Sequence, residues 1–214
     1  LSAIDDAPRD ARFDGVEAAM RRWIDDGFLA GASWAILAGR ELVDLRAIGL
    51  ADREAGVPLR RDTLFRAFSS TKLVTSIAVL QLVEEGRIAL DAPVSDWIPQ
   101  LADRRVLRPG ATSLDDTEPA RRPITVRHLL THGAGFGYGL LDPGTLLFDA
   151  YTANRVLHPG KPLSAMIDTL AGLPLGFHPG ESWEYSVATD VLGHLVEVVS
   201  GQRLDDFLRA RILE

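Results

Sequence analysis

The chain has 214 residues, of which 46% are hydrophobic, enough to bury a core as one domain or as two closely joined ones. Its net charge is −7 and acidic and basic residues are interspersed without a basic block, which argues against nucleic acid and anionic membranes as partners. The absence of cysteine excludes disulfides, thiolate nucleophiles and Cys-based metal sites, and no apolar run approaches the roughly 20 residues that span a bilayer. The first residue is Leu1 rather than Met, which leaves a removed signal peptide open. Localisation is therefore not fixed by the sequence, with a cytoplasmic placement favoured over a periplasmic one.

In chain order, "FDGVEAAMRRWIDDG" places Phe13, Val16, Met20, Trp23 and Ile24 on one face and predicts an amphipathic helix ending at Gly27. Two apolar runs follow, around Trp34 to Leu37 and Leu42 to Ile48. A Gly-Arg turn joins them, which predicts a β-hairpin. "TKLVTSIAVLQLVEEG" is apolar on nearly every side between Leu73 and Val83, as expected of a helix in the middle of a core, and Gly86 stops it. From Gly86 to about Gly180 short helical pieces alternate with Pro and Gly, with no visible strand pair. "VATDVLGHLVEVVSG" then repeats Val187, Val191, Leu195 and Val199 at four-residue steps, and the short "LDDFLRARIL" closes the chain. This texture suggests an N-terminal part over 1–86, a mostly helical domain over 87–186, and helices over 187–214 that lead back to the sheet. One hairpin is marginal as a sheet. The expectation is therefore that further strands complete it from outside these 214 residues, either on a C-terminal segment of the same protein or on a second chain.

The chain carries 21 arginines and only two lysines, and one of those lysines, Lys72, lies three residues after Ser69 at the mouth of the apolar helix. That spacing puts both side chains on one helical face. A cation in the first turn opposes the helix dipole, and burial among Phe68, Leu73 and Val74 disfavours its charge, so Lys72 is expected below its ordinary pKa. A neutral amine beside Ser69 would take the hydroxyl proton as Oγ attacks a carbonyl, with backbone N–H groups at the helix start facing the oxyanion. The plain alternative is that Ser69, Ser70 or Thr71 merely caps the helix.

Competing sites are weaker. Ser33 in "GASWA" and Ser182 in "GESWE" each have only the first glycine of a nucleophile elbow. His128 and His132 are four apart but lack the glutamate and third ligand of a metal motif, so helix-end packing is the better reading. In "HPGESWEYSVATD" Ser186 reads as a helix cap, with Tyr185 just outside it. A hydrophobic staple there would need an apolar residue where Asp190 stands. Tyr185 is thus free to relay a proton if it faces Ser69 and Lys72.

"FSSTK" opening a buried helix, "ITVRHLLTHGAG", and "HPGESWEYS" leading into "VLGHLVEVVSG" resemble, in order and spacing, the serine beta-lactamase-like superfamily. The nearest branches are class C beta-lactamases, D-alanyl-D-alanine carboxypeptidases and family VIII esterases. The resemblance implies an α/β (α+β) fold, an antiparallel sheet flanked by helices plus a mostly helical domain, with the active site between them. It implies Ser69 as the acylated nucleophile, Lys72 as its base, and Tyr185 completing proton transfer and activating water. The oxyanion hole would use the Ser69 amide and a second amide from a late sheet strand. No metal or organic cofactor is implied, and the partner is a small-molecule ester or a beta-lactam-like substrate.

Two departures from the family pattern stand out. Val187 occupies the asparagine position of Y-x-N, which removes a polar anchor for peptide-like substrates, and no K-[ST]-G, H-[ST]-G or W-x-G motif occurs. The expectation is a carboxylesterase for small or short-acyl esters. The alternatives are a beta-lactamase or D-Ala-D-Ala carboxypeptidase, and a non-catalytic penicillin-binding protein. Phe136, Tyr138 and Leu140 of "GAGFGYGLL" are candidates for one apolar wall of the pocket, with loop packing an equal alternative, and Trp183 and Val187 are candidates for further substrate contacts.

Overall fold

The computed structural model describes residues 7–214 and divides into two compact units, one reaching Arg66 and the other spanning Ala67–Glu214. The helix that carries Lys72 thus belongs with the helical layer rather than with the hairpin. Among the described residues no helix is long and apolar enough to cross a membrane.

In the first unit, Asp10 caps a 3-10 turn over Ala11–Phe13 by accepting from Arg12 N, and helix α1 follows over Asp14–Asp25. Gly27, at φ 75°, ends it as expected. Strands β1 (Gly31–Ala38) and β2 (Glu41–Asp52) form the predicted hairpin, with a register irregularity at Ile36/Leu37. A two-residue β3 (Val57–Pro58) extends it to three strands. Arg46 is buried and binds Asp44 of its own strand together with Asp14 and Glu17 of α1. A buried guanidinium is tolerated only with such partners, so this cluster fixes how α1 crosses β2. The apolar stripe of α1 remains half-exposed within the unit.

The second unit holds α2 (Thr71–Glu84), α3 (Val126–Leu130), α4 (Leu146–Ala153), α5 (Leu163–Ala171), α6 (Ala188–Ser200) and α7 (Leu204–Leu208). Its core joins Ala78, Val79 and Leu82 of α2 to Val191, Leu192, Leu195 and Val196 of α6. Helix α6 also packs against α3, α5 and α7. The central helix is therefore α6. Helix α2 buries one apolar face against α6 and leaves Leu73, Ile77 and Leu80 exposed among the described residues.

A further correction concerns the Pro- and Gly-rich stretch. It contains a strand pair, β4 (Arg105–Leu107) with β5 (Thr117–Pro119), each too short to show an alternating pattern. Next to it, buried Arg104 donates to the carbonyls of Leu170, Ala171 and Leu173. This satisfies acceptors that the end of α5 would otherwise leave orphaned. His128 fulfils the helix-end reading, since it forms a capping box with Thr125 at the start of α3.

Candidate active site

The candidate residues Ser69, Lys72 and Tyr185 all belong to the second unit. Phe68, directly before Ser69, adopts φ 43°, a left-handed conformation that a side chain with a β-carbon disfavours. This strained 3-10 turn over Phe68–Ser70 leads into α2 and leaves Ser69 exposed. Ser70, at the N-cap of α2, makes no side-chain capping bond, so the plain capping role is not fulfilled there.

Ser69 Oγ lies 3.0 Å from the hydroxyl of Tyr185. The Lys72 Nζ lies beside the same tyrosine, 5.0 Å from its ring centre and 5.5 Å from that of Tyr138. Tyr185 is thus the meeting point of the trio. Among the described residues no direct bond joins Ser69 to Lys72.

The surrounding loop holds Tyr185 in place. The His132 imidazole stacks on its ring with centres 4.9 Å apart, and Tyr138 meets it edge-on at 5.3 Å. Nδ1 of His132 accepts from Ser186 N at 3.2 Å, which places its proton on Nε2. Glu184 N donates to His132 O and Val187 N to Gly137 O, so the segment before α6 is laced to the 132–137 loop on both sides of Tyr185. Gly135 lets the same loop press against the 175–177 segment, because at φ 87° a β-carbon there would lie 2.3 Å from Phe177 O.

The electrostatics correct the sequence expectation for Lys72. Burial does work against its charge, but the hydrogen bond to Tyr185 and the acidic groups Tyr138, Tyr185 and Asp190 outweigh it, and Lys72 sits above its ordinary pKa. The hydrogen bonds from Ser69 and Lys72 hold the Tyr185 hydroxyl below the usual phenol range. Burial, with the Lys72 charge nearby, keeps His132 below the usual histidine value. The group in contact with the serine and the one tuned toward losing a proton are the same residue.

The remaining predicted residues scatter. Ser69, Lys72 and Tyr138 line a cavity of about 290 Å³, whose apolar wall is completed by Phe68, Leu163 and Leu204. Phe136, expected in the pocket wall, and Val187, expected to contact substrate, are sealed in the core, 1% and 0% exposed. Trp183 is 66% exposed and meets His132 edge-on instead of lining the cavity. Ser186 lies one residue before the N-cap of α6, and its hydroxyl pairs with His132 as well as accepting from Ala188 N. Ser33 donates to Arg46 O within the hairpin, a structural role. A larger open hollow of about 920 Å³, lined by groups of both charges such as Arg108, Glu118, Arg121 and His178, does not include the serine.

The sequence reading assigned no site role to His132 or Asp190. For His132 the available signal was its place in "LLTHGAG", the same stretch that supplies Tyr138 a few residues on.

The site thus gathers an exposed serine hydroxyl, a tyrosine hydroxyl and an ammonium, groups that nucleophilic serine chemistry uses. A sequence model of the family described as Beta-lactamase matches residues 16–214, and the chain belongs to that family and has its fold. It is 41% identical to Esterase EstB of Burkholderia gladioli over 204 residues, covering 94% of this chain and 48% of the esterase. Among solved structures it resembles EstCE1, described as a hydrolase with promiscuous acyltransferase activity, with a TM-score of 0.80, 30% identity, and 92% of this chain and 49% of EstCE1 covered. It also resembles unliganded simvastatin synthase (LovD) from Aspergillus terreus, with a TM-score of 0.76, 30% identity, and coverage of 95% and 52%. The chain spans about half the length of the relatives it matches.

Proposed function

We propose that this protein is a serine hydrolase that forms an acyl-enzyme on Ser69, acting as a carboxylesterase on small or short-acyl esters. The observation that carries this reading is the 3.0 Å contact between Ser69 Oγ and the Tyr185 hydroxyl. On this reading Tyr185, as phenolate stabilised by the Lys72 ammonium, takes the Ser69 proton while Oγ adds to the ester carbonyl. The Ser69 amide supports the oxyanion. Collapse expels the alcohol, which leaves with the proton from Tyr185. Water then enters, loses a proton to Tyr185 and adds to the acyl-serine, and the carboxylic acid departs as Ser69 is reprotonated.

Two further observations support ester chemistry. The cavity beside Ser69 is small and walled by Phe68, Tyr138, Leu163 and Leu204, which suits a short acyl group. The position where the family carries an amide-binding asparagine holds Val187, buried in the core. Transfer of the acyl group to an alcohol instead of water is a second reading, favoured by the acyltransferase activity named for EstCE1 and the synthase activity named for LovD.

Pre-steady-state kinetics test the proposal. A chromogenic short-acyl ester should give a burst equal to the enzyme concentration, and ester turnover should exceed that of a cephalosporin or a D-Ala-D-Ala peptide by roughly 10²-fold or more. An added alcohol should divert the acyl group into a new ester if transfer is the activity. Cephalosporin turnover equal to that of the ester would point to a lactamase, and a burst with no turnover of any substrate to a non-catalytic binding protein.

A further inference from the structure

Asp190 stands in the first turn of α6, where an acidic residue ordinarily serves the helix dipole from the surface. Here it is half-buried and lines the same cavity as Ser69 and Lys72. Lys72 and Asp190 are the two charged side chains lining that cavity among the described residues. Among the described residues they form no ion pair within 4 Å, and the backbone N–H of Asp190 donates to Val187 O. A carboxylate withdrawn from water without an ion-pair partner is costly unless a charge faces it. Lys72 is that charge.

The groups around the pair come from every neighbouring element. Helix α2 presents Lys72, the segment before α6 presents Tyr185, and the 132–138 loop presents Tyr138 and neutral His132. Burial raises the Asp190 carboxyl and the Lys72 charge pulls it back, while Asp190 in turn favours the charged form of Lys72. The tyrosine is tied in as well, since Asp190 opposes loss of its proton.

We propose that Asp190 is the positioning residue for Lys72: acting across the cavity, its carboxylate keeps the lysine an ammonium and holds it against the Tyr185 hydroxyl. The partner of Ser69 is Tyr185 and not Asp190, so the influence of Asp190 on the serine passes through Lys72. This assignment deepens the proposed hydrolase mechanism and rests on it for its meaning, but its test does not depend on turnover. It also accounts for a feature that sequence patterning left unexplained, the acidic residue at the point where an apolar staple partner belongs.

The chain's two lysines, Lys72 and Lys161, make the test direct. Lysine labelled with ¹³C at Cε gives two resonances from this chain, and Lys72→Arg identifies which belongs to Lys72. In Asp190→Asn the titration midpoint of Lys72 should fall by about one pH unit, as expected for loss of a facing unit charge. Asp190→Glu should keep it near the parent value, and Asp190→Ser provides a second uncharged variant should the asparagine protein fail to fold. The acid limb of the ester kcat/KM profile should move to lower pH in the uncharged variants, because removing a negative charge eases deprotonation of the Tyr185–Lys72 pair. A Lys72 midpoint that stays in place or rises in the uncharged variants would overturn the proposal, whatever happens to the rate. A midpoint that falls in a protein showing no ester burst would keep the Asp190 assignment and remove the esterase reading instead.

Discussion

Tyr185→Phe is expected to slow acylation by a short-acyl ester by about 10³-fold, the middle of the range for loss of a general base. The substitution keeps the ring that stacks on His132 and meets Tyr138, so the loop and the start of α6 should stay in place. What disappears is the oxygen 3.0 Å from Ser69 Oγ. Ser69 then faces an ammonium that carries no basic lone pair. Stopped-flow measurement of the burst rate checks this. A rate within a few-fold of the parent would transfer the base role to Lys72, as the sequence alone suggested.

The second large effect belongs to Lys72, and the comparison of two variants separates its possible roles. If Lys72 serves as an ammonium that stabilises the Tyr185 phenolate, Lys72→Met should cost about 10³-fold in kcat/KM, and Lys72→Arg, which keeps the charge, should retain more activity than Met. If the amine itself accepts the serine proton, Arg and Met should be equally inactive, because guanidinium stays protonated. The pH profile adds a sign. Lys72 lowers the Tyr185 hydroxyl, so its removal raises that group, and activity that depends on the phenolate should appear only at higher pH in Lys72→Met.

The elements with a strong local pattern were legible in the sequence. The β1–β2 hairpin is announced by two apolar runs and a Gly-Arg turn, and Gly27 and Gly86 stop their helices where a left-handed residue is needed. Ser69, Lys72 and Tyr185 could be singled out because a lysine in a helix's first turn and a tyrosine without an apolar staple partner both break local rules. What remained hidden was set by tertiary packing. Nothing local in "TKLVTSIAVLQLV" tells which of its apolar sides packs on α6, the helix that also meets α3, α5 and α7. Val187 was read from the asparagine position of Y-x-N and Phe136 from the glycine-rich "GAGFGYGLL", and no local pattern announces that both enter the core. The Lys72 charge was misjudged for a related reason: dipole and burial are visible from sequence, whereas the tyrosine hydrogen bond and Asp190 come from over 110 residues away.

Mass spectrometry of the protein after treatment with a reactive phosphonate ester tests most directly whether Ser69 is the nucleophile. The account predicts one phosphonyl group per chain, mapped by peptide digestion to Ser69, absent in Ser69→Ala, and formed far more slowly in Tyr185→Phe. An adduct on Ser33 or Ser182, or one that persists undiminished in Ser69→Ala, would contradict it.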